Sequence, residues 1–390
     1  MERKRLLVMG FMGSIPIAGV IWQHVHYIVG LQRLGHDVYY IEDSARHCYD
    51  PEKRAWMPEF DYAARLLTVL GERFNFAHKW SFGARCLNPH ETAGLSRERV
   101  RELYRDADAI LNVCGAQDVN EDLRGNDRLL YIDSDPGVEQ IEVDQAPDHA
   151  VEHLQQHRAL FTFGENVGTP EFVVPTHDVR WLTTRQPVVT DFWRTDRLLR
   201  QDAVFTTVAN WNTSGLKDIV WRGEKYHWSK TPEFLRLINA PQRAGEPFEL
   251  AVEIDDLDTR TEFERNGWRL SDPTGLSINI DAYSAYLQDS KGEFTVAKDQ
   301  YVRLNTGWFS DRSACYLAAG RPVITQETGF TKQYGGTDGL FAFRSLEEVV
   351  EAVKMINADY PHHCRAAAEL ARDIFEAEKV LESLLERAGI

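Results

Sequence analysis

The stretch from Gly292 to Phe330, GEFTVAKDQYVRLNTGWFSDRSACYLAAGRPVITQETGF, constrains this chain more than any other. It reads as strand, glycine-bearing loop, helix and strand. Glu293–Ala297 carries the β-branched and aromatic residues of a buried strand. Ser310 is a good N-cap, and Asp311 in the first turn suits the positive end of a helix dipole. The spacing predicts a helix over Asp311–Ala319, stopped by Gly320 with Pro322 just beyond, and a second apolar run over Pro322–Thr325. A βαβ half-unit of this kind leaves backbone N–H groups at the helix start, on the carboxyl edge of a parallel sheet, where phosphates bind. Lys298, Arg303 and Arg312 add positive charge around that loop. The competing reading is an ordinary βαβ unit with solvated basic residues. The loop's density of Lys, Arg, Asn, Thr and Ser argues against it.

At 390 residues the chain is long enough for two good cores. A hydrophobic content of 43% with 27% charged residues is that of a soluble globular protein. No apolar run approaches membrane-spanning length, and the start, MERKRLLVMGF, reads as a strand rather than a signal peptide. Cys48, Cys86, Cys114, Cys315 and Cys364 are scattered and form no CxxC pair, so the expectation is a reduced, cytoplasmic protein without a structural metal. A formal charge of −16 argues against a polyanionic partner, and no nucleic acid is expected. Oligomeric state is not readable from the sequence.

Leu6–Phe11 reads as a strand, MGSIPIAG as a loop, Val20–Arg33 as an amphipathic helix and Asp37–Ile41 as the next strand. This βαβ opening lacks GxGxxG spacing. Pro51–Arg105 reads as mostly helical, with an irregular aromatic piece at Phe74–Phe82. Strands are expected at Asp108–Val113, Arg128–Asp133 and Ala159–Phe163, then, past a boundary near Asp191–Gln201, at Val204–Ala209, Phe248–Ile254 and Gly339–Phe343. Helices close the chain as far as Leu385. Repeated strand–loop–helix spacing means α/β with mainly parallel sheets, and polar residues just past the strand ends should line a ligand crevice.

Several of these residues resemble a known family. AGVIWQHVHYIVGLQRLGHDVYYIED is similar to the opening of GT-B glycosyltransferases, closest to the family 4, or group 1, type. Gly19 matches the second glycine of the family's pair, whose first is Ala18 here, and Leu34-Gly35-His36-Asp37-Val38 matches its helix end. Gln23 falls where many members carry histidine, with His24 one place later. LAAGRPVITQETG is similar to the family's A-x-G-x-P-V-x-x-x-x-x-G, and GLFAFRSLEEVVEAVKMINAD to its tail. The family's two glutamates around the donor loop fall on Gly307 and Cys315, so retaining or inverting stereochemistry does not carry over.

The resemblance implies two Rossmann-like domains whose parallel sheets face each other across a cleft. An acceptor domain over residues 1–195, a nucleotide-sugar donor domain over 196–375, and a last helix over 376–390 crossing back to the first domain are expected. It implies transfer of a sugar from a nucleotide-diphosphate sugar, UDP favoured, to a small-molecule or glycan acceptor, without a metal. A nucleotide-sugar 2-epimerase and a non-catalytic nucleotide- or glycan-binding protein are the alternatives on the same fold. Ser310, Arg312 and Ser313, supported by Lys298 and Arg303, are the expected leaving-group ligands, with Arg312 alternatively a solvated helix residue. Of Arg222, Lys225 and Lys230, the last is preferred for the diphosphate, because SKTP reads as a helix entry. Gln326, Glu327, Thr328 and Gly329 fall where relatives hold the donor sugar, Glu327 as a bidentate acceptor. His24, Glu42, Asp133, Asp135 and Glu165 are the acceptor-side candidates for acid–base work. Asp133-Ser134-Asp135 is a DxD, which also reads as a turn after a strand; the turn is preferred. His362 and His363 read as solvated loop histidines rather than metal ligands.

Overall fold

A computed structural model of the chain describes residues 2–44, 46–85, 91–211, 218–336 and 338–390. Cys86 lies outside them. The first sheet contains β1 (Arg5–Met9), β2 (Asp37–Ser44), β3 (Trp80–Ala84), β4 (Thr92–Gly94), β5 (Ala109–Val113), β6 (Leu129–Asp133), β7 (Ala159–Thr162) and β8 (Trp181–Thr183). Its spatial order is β8-β7-β6-β5-β1-β2-β3-β4, and every described pairing is parallel except β3 with β4. The second sheet contains β9 (Phe205–Val208), β10 (Phe248–Ala251), β11 (Trp268–Ser271), β12 (Gly292–Thr295), β13 (Val323–Gln326) and β14 (Leu340–Phe343). It is parallel throughout, in the order β11-β10-β9-β12-β13-β14. Both are Rossmann-like. In each, the strand order reverses beside the first strand, between β1 and β5 and between β9 and β12, and ligand crevices open at such points.

The strands are near-continuous apolar runs because helices cover both faces of a parallel sheet. Leu6, Leu7 and Val8 of β1 are fully buried, as are Ala109, Ile110 and Leu111 of β5. Helix α1 (Ala18–Arg33) ends where Gly35 takes a φ of +89° and its N–H donates to the Gln32 carbonyl. The chain passes from the first sheet to the second between Thr183 and Phe205, and helix α3 (Ala377–Ala388) brings it back. Outward and return passages are hydrogen-bonded side by side, Val188 N to the Phe375 carbonyl (2.7 Å) and Ala377 N to the Val188 carbonyl (2.9 Å). Gly30 lets α3 settle on α1: a Cβ there would lie 2.6 Å from Leu381 and 2.8 Å from Ala377.

The region from Pro51 to Arg105 departs from expectation. It holds helices at Asp61–Arg73 and Arg97–Asp106, but Cys48–Asp50 and Ala55–Met57 pair as a hairpin, and the aromatic piece ends in β3. Ser81 and Gly83 weaken the strand signal of WSFGA, yet all five residues are buried against β2. His362 and His363 also depart from expectation. They occupy the first turn of helix Tyr360–Ile374, His363 is buried, and His362 Nε2 lies 3.2 Å from Asp338 Oδ1. No helix among the described residues is long and apolar enough to cross a membrane.

Candidate active site

The carboxyl ends of the two sheets face a cavity of 1010 Å³. The first half contributes Phe11, Gly19, Gln23, Cys114 and Asp135, the second Trp211, Trp308, Ser310, Asp311 and Arg312. Two helix starts point into it: α1, entered through Ile17, and α2 (Asp311–Ala318), entered through Ser310. Neither has a side-chain cap, so the positive ends of two helix dipoles meet at one space.

Positive side chains gather beside α2. Arg312 donates through Nε to Glu293 Oε1 (2.6 Å), through Nη1 to the Val208 carbonyl (2.7 Å) and through Nη2 to Thr295 Oγ1 (2.8 Å). It is not a solvated helix residue: it clamps the ends of β9 and β12, and Glu293, fully buried mid-strand, is its counter-ion. Lys298 Nζ lies 2.7 Å from Asp135 Oδ1 and 3.1 Å above the Trp228 ring. Lys230 Nζ stands 5.7 Å over the ring of Trp308, and among the described residues it forms no ion pair. Burial, then the positive charge of Arg312 and Lys298, hold its pKa well below the usual lysine range. Arg303 does not reach the cavity; it pairs with Asp299 and Glu224 and stacks on Tyr226. Arg222 stacks on Trp221 and Lys225 pairs with Asp218, both away from the cavity wall.

Two carboxyl groups line the space beside α2. Asp135 joins the halves, meeting Lys298 and the Tyr301 hydroxyl. Asp311 accepts a hydrogen bond from Gln23 Nε2 of the opposite half (3.3 Å), and Cys114 Sγ donates to Gln23 Oε1 (3.3 Å). Burial, then the charge of Asp135, push Asp311 up to about 7. From sequence Asp311 is only a helix-start residue. Its cleft position was readable from the same N-terminus that marked the phosphate loop, had Gln23 been set opposite it.

Several expected residues are not brought to the cavity. His24 is entombed behind Gly10, where a Cβ would come 2.1 Å from its ring; its Nδ1 donates to the Val20 carbonyl (2.8 Å), and burial lowers it to about 4. Asp133 turns inward, accepting from Gln140 (3.0 Å), Thr162 (2.9 Å) and the Asp135 N–H (3.0 Å), and burial raises it to about 7. The DxD is therefore a turn whose two carboxyls serve different partners. Glu327 fastens the next turn, accepting from Gly329 N (2.5 Å) and Thr331 Oγ1 (2.6 Å). Gln326 binds Glu233 and the Ala297 N–H, and Thr328 the Trp308 carbonyl. Gly329 faces Asn166, whose Nδ2 a Cβ would approach to 2.3 Å. Ser313 is fully buried with its hydroxyl unpartnered, outside the cavity wall. Glu42 and Glu165 are likewise engaged, Glu42 by the glycine loop and Glu165 by Arg185 (2.6 Å) and Tyr334 (2.9 Å).

No family model and no curated protein matches the chain. Solved structures do. An alpha-glucosyltransferase in complex with UDP and a 13-mer DNA is 9% identical over 100% of both chains, with a TM-score of 0.60. HepE from Anabaena, in complex with UDP and glucose, is 11% identical over 99% of this chain and 100% of its own, at 0.54. AviGT4, a glycosyltransferase involved in avilamycin A biosynthesis, is 10% identical over 99% and 97%, at 0.51. Likeness along the full length at such low identity establishes the fold: this chain has the GT-B arrangement of two Rossmann-like halves across a cleft.

Proposed function

We propose that this chain is a glycosyltransferase that moves a sugar from a nucleoside-diphosphate sugar, a UDP-sugar by preference, to an acceptor held in the same cleft. The observation that carries the reading is the uncapped start of α2 at the second sheet's switch point, with basic side chains gathered beside it. There the open start of α2 meets Lys230, which lacks an ion-pair partner among the described residues, with Lys298 and Arg312 beside it. The negative charge of a diphosphate favours the protonated form of Lys230, and the helix start with the lysine stabilises that leaving group as the glycosidic bond breaks. The UDP complexes of two similar structures support the donor class.

Lys230, Lys298 and the Ser310 loop hold the diphosphate in this reading, while Arg312 acts through position, fixing the strands that carry α2. Neutralisation by these groups and the two helix starts makes the transfer metal-independent. Asp135 and Asp311 are the carboxyls placed to take up or release the proton of the acceptor hydroxyl. Cys114, Cys315 and Cys364 are free thiols, which suits a reducing cytoplasm.

Calorimetric titration with UDP, GDP, ADP and dTDP in the presence of a chelator tests the reading. One nucleotide should bind saturably to wild type and about 10- to 100-fold more weakly to Lys230→Ala, the cost of losing a charge-assisted contact. Lys230 is the residue to change, since Arg312→Ala would strand Glu293 and confuse binding with folding. Failure of all four nucleotides to bind overturns the proposal.

A further inference from the structure

The other end of the cavity is built from different chemistry. The Cys48–Met57 hairpin is tied to the glycine loop after β1 by Tyr49 N, which donates to the Ser14 carbonyl (2.8 Å). That loop is itself fastened, since Gly13 N and Ser14 N both donate to Glu42 at 2.8 Å. The hairpin turn is preformed: Asp50 Oδ1 accepts from the N–H groups of Glu52 (2.9 Å) and Lys53 (3.1 Å), and Arg54 takes a φ of +53°. On this frame Trp56 lines the cavity mouth with 58% of its surface exposed, and Tyr49 packs edge-on against it at 5.5 Å. No other Trp, Phe or Tyr among the described residues is exposed. A tryptophan held rigidly in water forgoes the burial that is its main contribution to folding, so its place here is not explained by stability.

The wall opposite is polar. It presents the carboxylates of Glu253 and Asp255 and the hydroxyls of Thr274 and Ser277, and Arg54 reaches across to Glu253 at 2.6 Å. We propose that this end of the cleft is the acceptor subsite and that its ligand is a carbohydrate. One sugar ring lies with its C–H face on Trp56 and its hydroxyls on Glu253, Asp255 and Arg54. The proposal rests on the transferase reading, because it names the acceptor of that reaction.

The chemistry selects among acceptors. Ionised carboxylates only accept hydrogen bonds, and each can take two from neighbouring hydroxyls of one ring. Arg54 supplies donors for the ring's acceptor oxygens. A phosphodiester would meet two carboxylates at the mouth on a chain of net charge −16, so a nucleic acid is disfavoured. A plain aromatic acceptor would use Trp56 but leave the polar wall unsatisfied. The Arg54–Glu253 pair is 55% and 60% exposed, so it holds the lips together only weakly and yields to a ligand that offers hydroxyls.

Saturation-transfer NMR on the full chain tests this, with maltose, cellobiose and lactose as saccharide probes. 4-Methylumbelliferone and a 13-mer duplex serve as the competing classes, and UDP and GDP are present throughout. A saccharide should receive saturation on its ring C–H protons, with its Kd raised about tenfold in Trp56→Ala and partly restored in Trp56→Tyr. Nucleotide signals from the same samples should not change between the variants. Trp56 is exposed and belongs to none of the buried hydrophobic clusters, so its replacement leaves the fold intact. Nucleotide signals without any saccharide signal overturn the acceptor proposal, as does saccharide binding that is indifferent to Trp56 or a response confined to the phenol or the duplex. Saccharide binding that depends on Trp56 without any nucleotide signal sustains the subsite and removes the donor reading instead.

Discussion

The two halves of this protein each bury a glutamate near the switch point of a parallel sheet, and they settle its charge in opposite ways. In the first half Glu42 receives the N–H groups of Gly13 and Ser14 and the hydroxyl of Tyr40, all at 2.8 Å. Its charge is spent on backbone, and the product is a rigid glycine loop. In the second half Glu293 is answered by a formal positive charge, Arg312, which also ties the ends of β9 and β12. With that carboxylate already paired to Arg312 and Lys298 paired to Asp135, Lys230 is the cation left without an ion-pair partner among the described residues. One fold thus yields a neutral, braced wall on one side and an anion-seeking wall on the other.

The sharpest test of this contrast is removal of the clamp. Arg312→Ala leaves Glu293 buried without a counter-ion and should cost about 3–5 kcal/mol in urea denaturation. The double variant Arg312→Met with Glu293→Gln should recover much of that, since the pair is then replaced rather than broken. A single-variant cost below about 1 kcal/mol would show that the second half does not depend on the pair. Glu42→Gln should cost less, about 1–3 kcal/mol. The amide oxygen can still serve Gly13 and Tyr40, but the NH₂ group then faces the Ser14 N–H, donor against donor. Equal costs at the two positions would remove the distinction between a charge spent on backbone and a charge spent on an ion pair.

Most of the fold was legible because parallel sheets write themselves as apolar runs at regular intervals. The Gly35 stop, the RPVIT strand and the order of the motifs carried both domains. What was hidden follows from contacts distant in sequence. WSFGA became an interior strand, next to the sheet edge, through its neighbours and against its own propensity. Glu293 in the middle of a buried strand was a signal in plain view: a charge there requires a partner, and Arg312 in the first turn of α2 supplies it. Ser310, Lys230 and Asp135 were legible as candidates because helix starts and strand ends are local features. Asp311 was not, because its significance depends on Gln23, 288 residues earlier. Glu327 and His24 looked chemical in sequence for the reason that polar residues at turns and in helices always do, and here their polarity is consumed by the backbone around them.

Asp311 also offers the finest probe of the anion-seeking wall. Burial, then the charge of Asp135, push its carboxyl up to about 7, with Arg312 and Cys315 also beside it. Because the folded value lies above the unfolded one, Asp311 favours folding at low pH, and that contribution is lost as pH rises through about 7. Asp311→Asn should therefore match wild type in stability near pH 4 and exceed it at pH 8. The same sign governs binding. A diphosphate beside Asp311 favours its protonated form, so wild type should take up a proton with nucleotide above pH 7, and Kd should rise by at most about tenfold per pH unit. Calorimetry in two buffers of different ionisation enthalpy reads that proton directly. Lys230 and the nucleotide's own phosphate titrate in both proteins, so the part of the slope that disappears in Asp311→Asn belongs to Asp311. A slope unchanged by the substitution would move Asp311 out of the anion site and leave the helix start and the lysines to define it alone.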